Sequence, residues 1–253
     1  MAGGLAACAM LEPAVADATR APDDARRGIL RLRLQAPDKL DSMRRFYGEV
    51  LELPLVADSK SSMTVRAGGT DITFVVAPQR EPYYHFAFNI PENLLASSKR
   101  WLAPRCPILK RPDGSDEYHF VSWNAHSIYF LDPAGNILEF IARHNLSNAR
   151  QGEFNGKDIL YASEIALVVD DVAETVQSAR DALGIDVFAG SQSERFAAVG
   201  SDYRLLIVVK RGREWNSGHG RRTAEVWPLR ATIRHDLPGR LESAEHRFEV
   251  MAG

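Results

Sequence analysis

Residues Ser127–Phe140, "SIYFLDPAGNILEF", read as two half-buried strands joined by a turn. Ile128 and Phe130 alternate with Ser127 and Tyr129, "DPAG" supplies the turn, and Leu138 and Phe140 bracket Glu139. With a side-chain period of two, Leu138 and Phe140 face a core and Glu139 faces the opposite way, so one carboxylate stands on the open side of a sheet. Upstream, in "YYHFAFNI", Phe86, Phe88 and Ile90 take the core face, which turns His85, Ala87 and Asn89 to the open one. Between the two stretches lie a helical segment, "ENLLASSKRWLA", and a strand around "YHFVSW". The unit is βαβββ.

The same order stands before and after it. "ILRLRLQAPD" is a strand with Leu30, Leu32 and Leu34 on one face and Arg31, Arg33 and Gln35 on the other. "KLDSMRRFYGEVLEL" spaces its apolar residues by three and four and is stopped by Pro54, as an amphipathic helix requires. Three short strand-like pieces follow it. After a polar connector come "ASEIALVVDD", a helix closed by Gly184, and three more strands. The first and third copies run in register, Arg31 with Glu164, Asp38 with Asp171 and Thr73 with Leu206, which marks a repeat. "AEVWPLRATIR" is a further strand-like piece, the beginning of a fourth copy. A βαβββ unit leaves one sheet face open, so units must pair, and pairing makes a cup. The expected layout is an extension over 1–28, copies one and two closing a cup within 29–150, and copy three with a residual strand over 151–253. An unpaired third module predicts a homodimer.

Composition narrows the function classes. The chain has 253 residues, 45% hydrophobic and 25% charged, which is ordinary for a globular protein. Its formal net charge of −2 and lack of like-charge runs point away from nucleic acid and towards a small-molecule ligand. No apolar run is long enough to span a bilayer. Cys8 and Cys106 are too few and too far apart for a disulfide framework or a cysteine zinc site, and each reads as a plain thiol. The first residues, "MAGGLAACAMLEPAVADATRAP", read either as an extension on a cytoplasmic protein or as the back half of an export signal. Glycines in "WNSGHGRR" and "RAGGTD" lack a strand–helix nucleotide context, there is no GxSxG, and Trp215 and Trp227 read as packing over the second sheet.

The repeat, with "FYGEVLEL", "HFAF" and above all "YFLDPAGNILEF", resembles the vicinal oxygen chelate superfamily of glyoxalase I, bleomycin and fosfomycin resistance proteins and extradiol dioxygenases. The resemblance implies an α+β fold of tandem βαβββ modules forming curved, cup-like mixed sheets. It implies a site for one divalent metal, Zn, Fe or Mn, held by a His from the first strand of each module and a Glu from the last strand of the second. His85 and Glu139 match two of those positions. The first-module position falls on Arg31 or Leu32, neither a ligand, and His119 and His126 are the alternatives for completing the set. Arg31, Arg33, Asn89, Ser127 and Tyr129 are the expected substrate contacts. The implied function is a metal-dependent dioxygenase, lyase or isomerase acting on a small organic molecule. The alternative is a metal-free binding protein of the bleomycin-resistance type, with an Arg31–Glu139 ion pair in the ion's place.

Overall fold

The computed structural model describes residues 28–215 and 222–253, so the expectations for Cys8 and the N-terminal extension lie outside the described residues. Module one comprises β1 (Ile29–Ala36), α1 (Leu40–Arg45), β2 (Leu55–Asp58), β3 (Ser62–Ala67) and β4 (Thr70–Val76). Module two comprises β5 (His85–Ile90), α2 (Leu95–Leu102), β6 (Tyr118–Phe120), β7 (Ala125–Leu131) and β8 (Ile137–Arg143). Module three comprises β9 (Tyr161–Val169), α3 (Val172–Leu183), β10 (Val187–Ser193), β11 (Phe196–Ser201) and β12 (Arg204–Lys210). Beyond the single expected strand, β13 (Leu229–Ile233), two more form, β14 (Gly239–Ser243) and β15 (Phe248–Ala252). They make a fourth module without a helix of its own.

Local chemistry explains these elements. Asp171 caps α3 by accepting from the Glu174 amide at 2.9 Å, and Gly184 ends the helix at φ +64, a left-handed value that suits glycine. In the "DPAGN" turn, buried Asp132 accepts from the amides of Ala134 and Asn136, from the Asn136 side chain and from the Tyr47 hydroxyl. Asn136 in turn accepts from the Tyr84 amide at 2.8 Å, so the turn is tied to module one through Tyr47 and to the start of its own module's first strand, β5, through Tyr84.

The modules pair differently from the expected layout. One sheet runs β14-β15-β13-β1-β4-β3-β2 and the other β10-β11-β12-β9-β5-β8-β7-β6. Module one pairs with module four through antiparallel β1 and β13, and module two with module three through antiparallel β5 and β9. Copies one and two therefore do not close a common cup, and the unpaired third module that argued for a homodimer does not exist. The helices lie between the backs of the sheets: Tyr47, just after α1, stacks on Phe74 of one sheet while Phe46 reaches Phe130 of the other. Helix α3 serves two modules, packing on β11 and β12 and also on β14, where a side chain at Gly239 would overlap the Ala182 carbonyl. One apolar core runs through both sheets and includes Leu34, Phe74, Phe88 and Val250. No described helix is long and apolar enough to cross a membrane.

Candidate metal and ligand site

The concave side of the eight-stranded sheet carries the chemistry. Ala87 lies opposite Glu139 on β8 and opposite Glu164 on β9, and His85 stands two residues before it on the same face. These pairings bring His85 Nε2 to 3.6 Å from Glu139 Oε2 and 4.0 Å from Glu164 Oε2. All three side chains are buried. His85 Nδ1 lies 3.0 Å from the Ile137 carbonyl, which accepts a hydrogen bond from Nδ1–H and leaves the Nε2 lone pair facing the carboxylates.

Arg143, at the end of β8, is 0% exposed and donates from Nη2 to Glu164 Oε1. Its guanidinium also lies over Trp123 at 5.6 Å and Phe188 at 6.0 Å. Burial first, and the neighbouring Glu164 second, hold the Glu139 carboxyl well above its usual range. Burial also raises Glu164, against the pull of Arg143. Burial lowers His85 to about 4, so the imidazole is neutral at pH 7. Burial and the second carboxylate therefore both act against ionising Glu139, and Arg143 offsets them only in part.

A divalent ion fits this donor set. With bonds of about 2.1 Å, ligand atoms on one ion stand roughly 3.0–3.6 Å apart at octahedral to trigonal angles, close to the separations seen. His85 presents the correct tautomer, Glu139 Oε1 is buried without a hydrogen-bond partner, and the Glu164 oxygen not held by Arg143 faces His85. Strand β12 turns Leu205, Ile207 and Val209 to the same hollow, so it adds no fourth donor.

Most of the remaining lining is apolar: Ala87, Ala125, Ile141, Ala166 and Ile207, with Trp123, Phe188, Phe196 and Trp215 around them. Trp215 covers His85 with ring centroids 5.3 Å apart, and Trp123 closes the opposite side by donating to Ser191 at 2.6 Å. A crevice of about 10 Å³, lined by Tyr83, Tyr84, His85, Trp215, Trp227 and Phe248, reaches the histidine. That is room for about one water.

His85, Glu139, Ser127 and Tyr129 share one face of the eight-stranded sheet, Tyr129 lying directly opposite Glu139. Asn89 sits further along the same strand face, buried, with both amide atoms unpartnered. Three expectations are corrected. Arg31 and Arg33 belong to β1 in the other sheet, so no Arg31–Glu139 pair exists; Arg31 lies opposite Asp71 and Thr232. His119 and His126 stack on each other at 4.2 Å at the sheet's edge, and His126 bonds to His144 at 2.9 Å, so neither joins His85. The arginine that opposes a cup carboxylate is Arg143. Glu164 and Arg143 are the residues that sequence reasoning passed over. Glu164's signal lies in the repeat register that matches it to a first-strand ligand position, in a module that the sequence places outside the first cup.

No family model matches the chain, and no curated protein matches it in sequence. Solved structures do match in shape. A candidate dioxygenase from Bacillus subtilis superposes with a TM-score of 0.58 at 15% identity, covering 89% of this chain and 85% of that one. A single-site variant of glyoxalase I from Zea mays superposes at 0.52 with 12% identity, covering 89% and 92%. The curled mixed sheets are those of the glyoxalase/dioxygenase fold, the fold of the vicinal oxygen chelate superfamily.

Proposed function

We propose that this chain, with the fold of the vicinal oxygen chelate proteins, binds one divalent metal on His85, Glu139 and Glu164 and acts on a small oxygen-bearing organic molecule in the hollow between modules two and three. The observation that carries the reading is the convergence of one correctly oriented imidazole and two carboxylates in a buried, largely apolar pocket. Such groups are buried at a cost unless something compensates them, and Arg143 compensates only one. When bound, a divalent ion there supplies Lewis acidity to a ligand oxygen. The chain's own residues do the rest. Trp123, Phe188 and Trp215, which fill the hollow until a ligand displaces them, favour an apolar or aromatic body and exclude water. Glu139, whose carboxyl burial holds well above its usual range, is placed to exchange a proton with a bound molecule.

A metal-free binding protein remains the second reading, favoured by Arg143, which already supplies one cation to the carboxylates. Metal analysis of protein purified without chelator, followed by calorimetric titration of stripped protein with Zn²⁺ and Mn²⁺, separates the two. The proposal expects one ion per chain, proton release on binding, and loss of binding in Glu139→Gln and Glu164→Gln. Stripped wild-type protein that takes up neither ion would establish the metal-free reading.

A further inference from the structure

The second sheet has its own concave face, and its chemistry is inverted. The positions that carry His85, Glu139 and Glu164 in one cup follow from Ala87, which faces both carboxylates. In the other cup Arg33 takes the place of Ala87, facing Thr73 on β4 and Arg230 on β13, with Arg31 two residues before it. The imidazole and the two carboxylates are thus replaced by Arg31, Thr73 and Arg230. A site that suits a cation has a counterpart that suits an anion.

Beside these residues opens a cavity of about 530 Å³, within the range of small-molecule sites. Four arginines line it, Arg33, Arg230, Arg240 and Arg247, against two acids, Glu242 and Glu249. The acids are already engaged: Glu249 holds Arg230 at 3.0 Å and Arg240 at 2.8 Å, and Glu242 holds Arg240 at 2.8 Å. Arg33 and Arg247 form no ion pair among the described residues, so the cavity keeps two uncompensated positive charges. Arg33 and Arg230 are also direct cross-strand neighbours, an arrangement in which like charges repel. The floor is apolar, formed by Val75, Pro228, Leu229 and Phe248. Leu229 and Phe248 also wall off the crevice at His85, so the two spaces are adjacent and separate.

We propose that this cavity binds an organic anion, a carboxylate or phosphate ester with a small apolar body, its head on Arg33 and Arg247 and its body on Val75, Pro228 and Phe248. The site stands independently of the metal reading. Guanidinium groups suit both heads through paired N–H donors, and the open setting makes the attraction sensitive to salt.

The test is calorimetric titration of the full chain, in EDTA at low ionic strength, with benzoate, phenyl phosphate and the neutral benzyl alcohol. The expected result is one saturable site per chain for benzoate or phenyl phosphate, whichever head is preferred, and none for benzyl alcohol. Affinity falls with added salt. The Arg33→Ser/Arg247→Ser variant weakens binding about tenfold or more with its melting temperature unchanged, because both side chains are exposed and unpaired. Failure of both anions to saturate below about 10 mM would overturn the proposal. So would equal binding of benzyl alcohol, or undiminished binding by the double variant.

Discussion

Replacing Arg143 by Met tests whether the guanidinium at the floor of the cup is an ionic partner or mere filler. Met is apolar and flexible enough to occupy much of the arginine's space, so the change removes charge and hydrogen bonding more than volume. Glu164 is then left buried without its cation and escapes by keeping a proton. At pH 7, holding a proton on a carboxyl whose ordinary value is 4.5 costs about 1.36 kcal/mol for each of 2.5 pH units, or about 3.4 kcal/mol, an upper bound because burial already raises Glu164 beside Arg143. Lost cation–π contact with Trp123 and Phe188 adds about 1 kcal/mol. The total of about 4 kcal/mol agrees with the range of about 3–5 for breaking a buried pair. At pH 5 the proton cost shrinks to about 0.7 kcal/mol, so the penalty should fall below about 2 kcal/mol. Urea denaturation of both proteins in EDTA at the two pH values measures this, and thermal melts at pH 7 should differ by about 8–16 °C. An equal penalty at both pH values, or less than about 1 kcal/mol at pH 7, would refute the ionic account.

Other outcomes follow from the same geometry. Because Glu139 is raised well above 4.5 in the fold, the stability it lends is complete below pH 4.5 and is lost as pH rises through its folded value; in EDTA the melting temperature should fall as pH is raised above that range, and saturating Zn²⁺ should flatten that slope. Arg31→His should leave Zn²⁺ affinity unchanged by calorimetry, since Arg31 belongs to the other sheet; tighter binding would contradict the module pairing. Gly68→Ala should destabilise by about 2–4 kcal/mol in urea melts, because Gly68 has φ +50 and an added Cβ would overlap the Leu160 carbonyl where the β3–β4 turn docks. A variant as stable as wild type would mean that this contact does not form.

Much of the molecule is legible in the chain itself, because the information is local. Alternation in "HFAFNI" and "NILEFI" sets which way His85 and Glu139 point, and a period of two leaves no other choice once Phe86, Phe88, Leu138 and Phe140 are buried. The turn "DPAGN" is likewise self-contained, since Asp132 satisfies the amides of its own loop. Strands β14 and β15 were harder to read: at five residues each, their alternating patterns are too short to stand out from a polar tail.

Which modules share a sheet was decided only by the tertiary structure. A strand's pattern says which face is buried but not which edge it pairs with, because edge pairing is made by backbone groups that every residue carries. Modules one and two, adjacent in sequence, therefore looked like natural partners, while β5 in fact pairs with β9 and β1 with β13. That choice moved Arg31 out of the cup and brought Glu164 in. It also buried Arg143, a charged residue at a strand end, where Glu164 and two aromatic rings surround it. The directions of His85 and Glu139 belong to the sequence, whereas their company belongs to the fold, since long-range strand pairing alone determines which side chains meet across a cup.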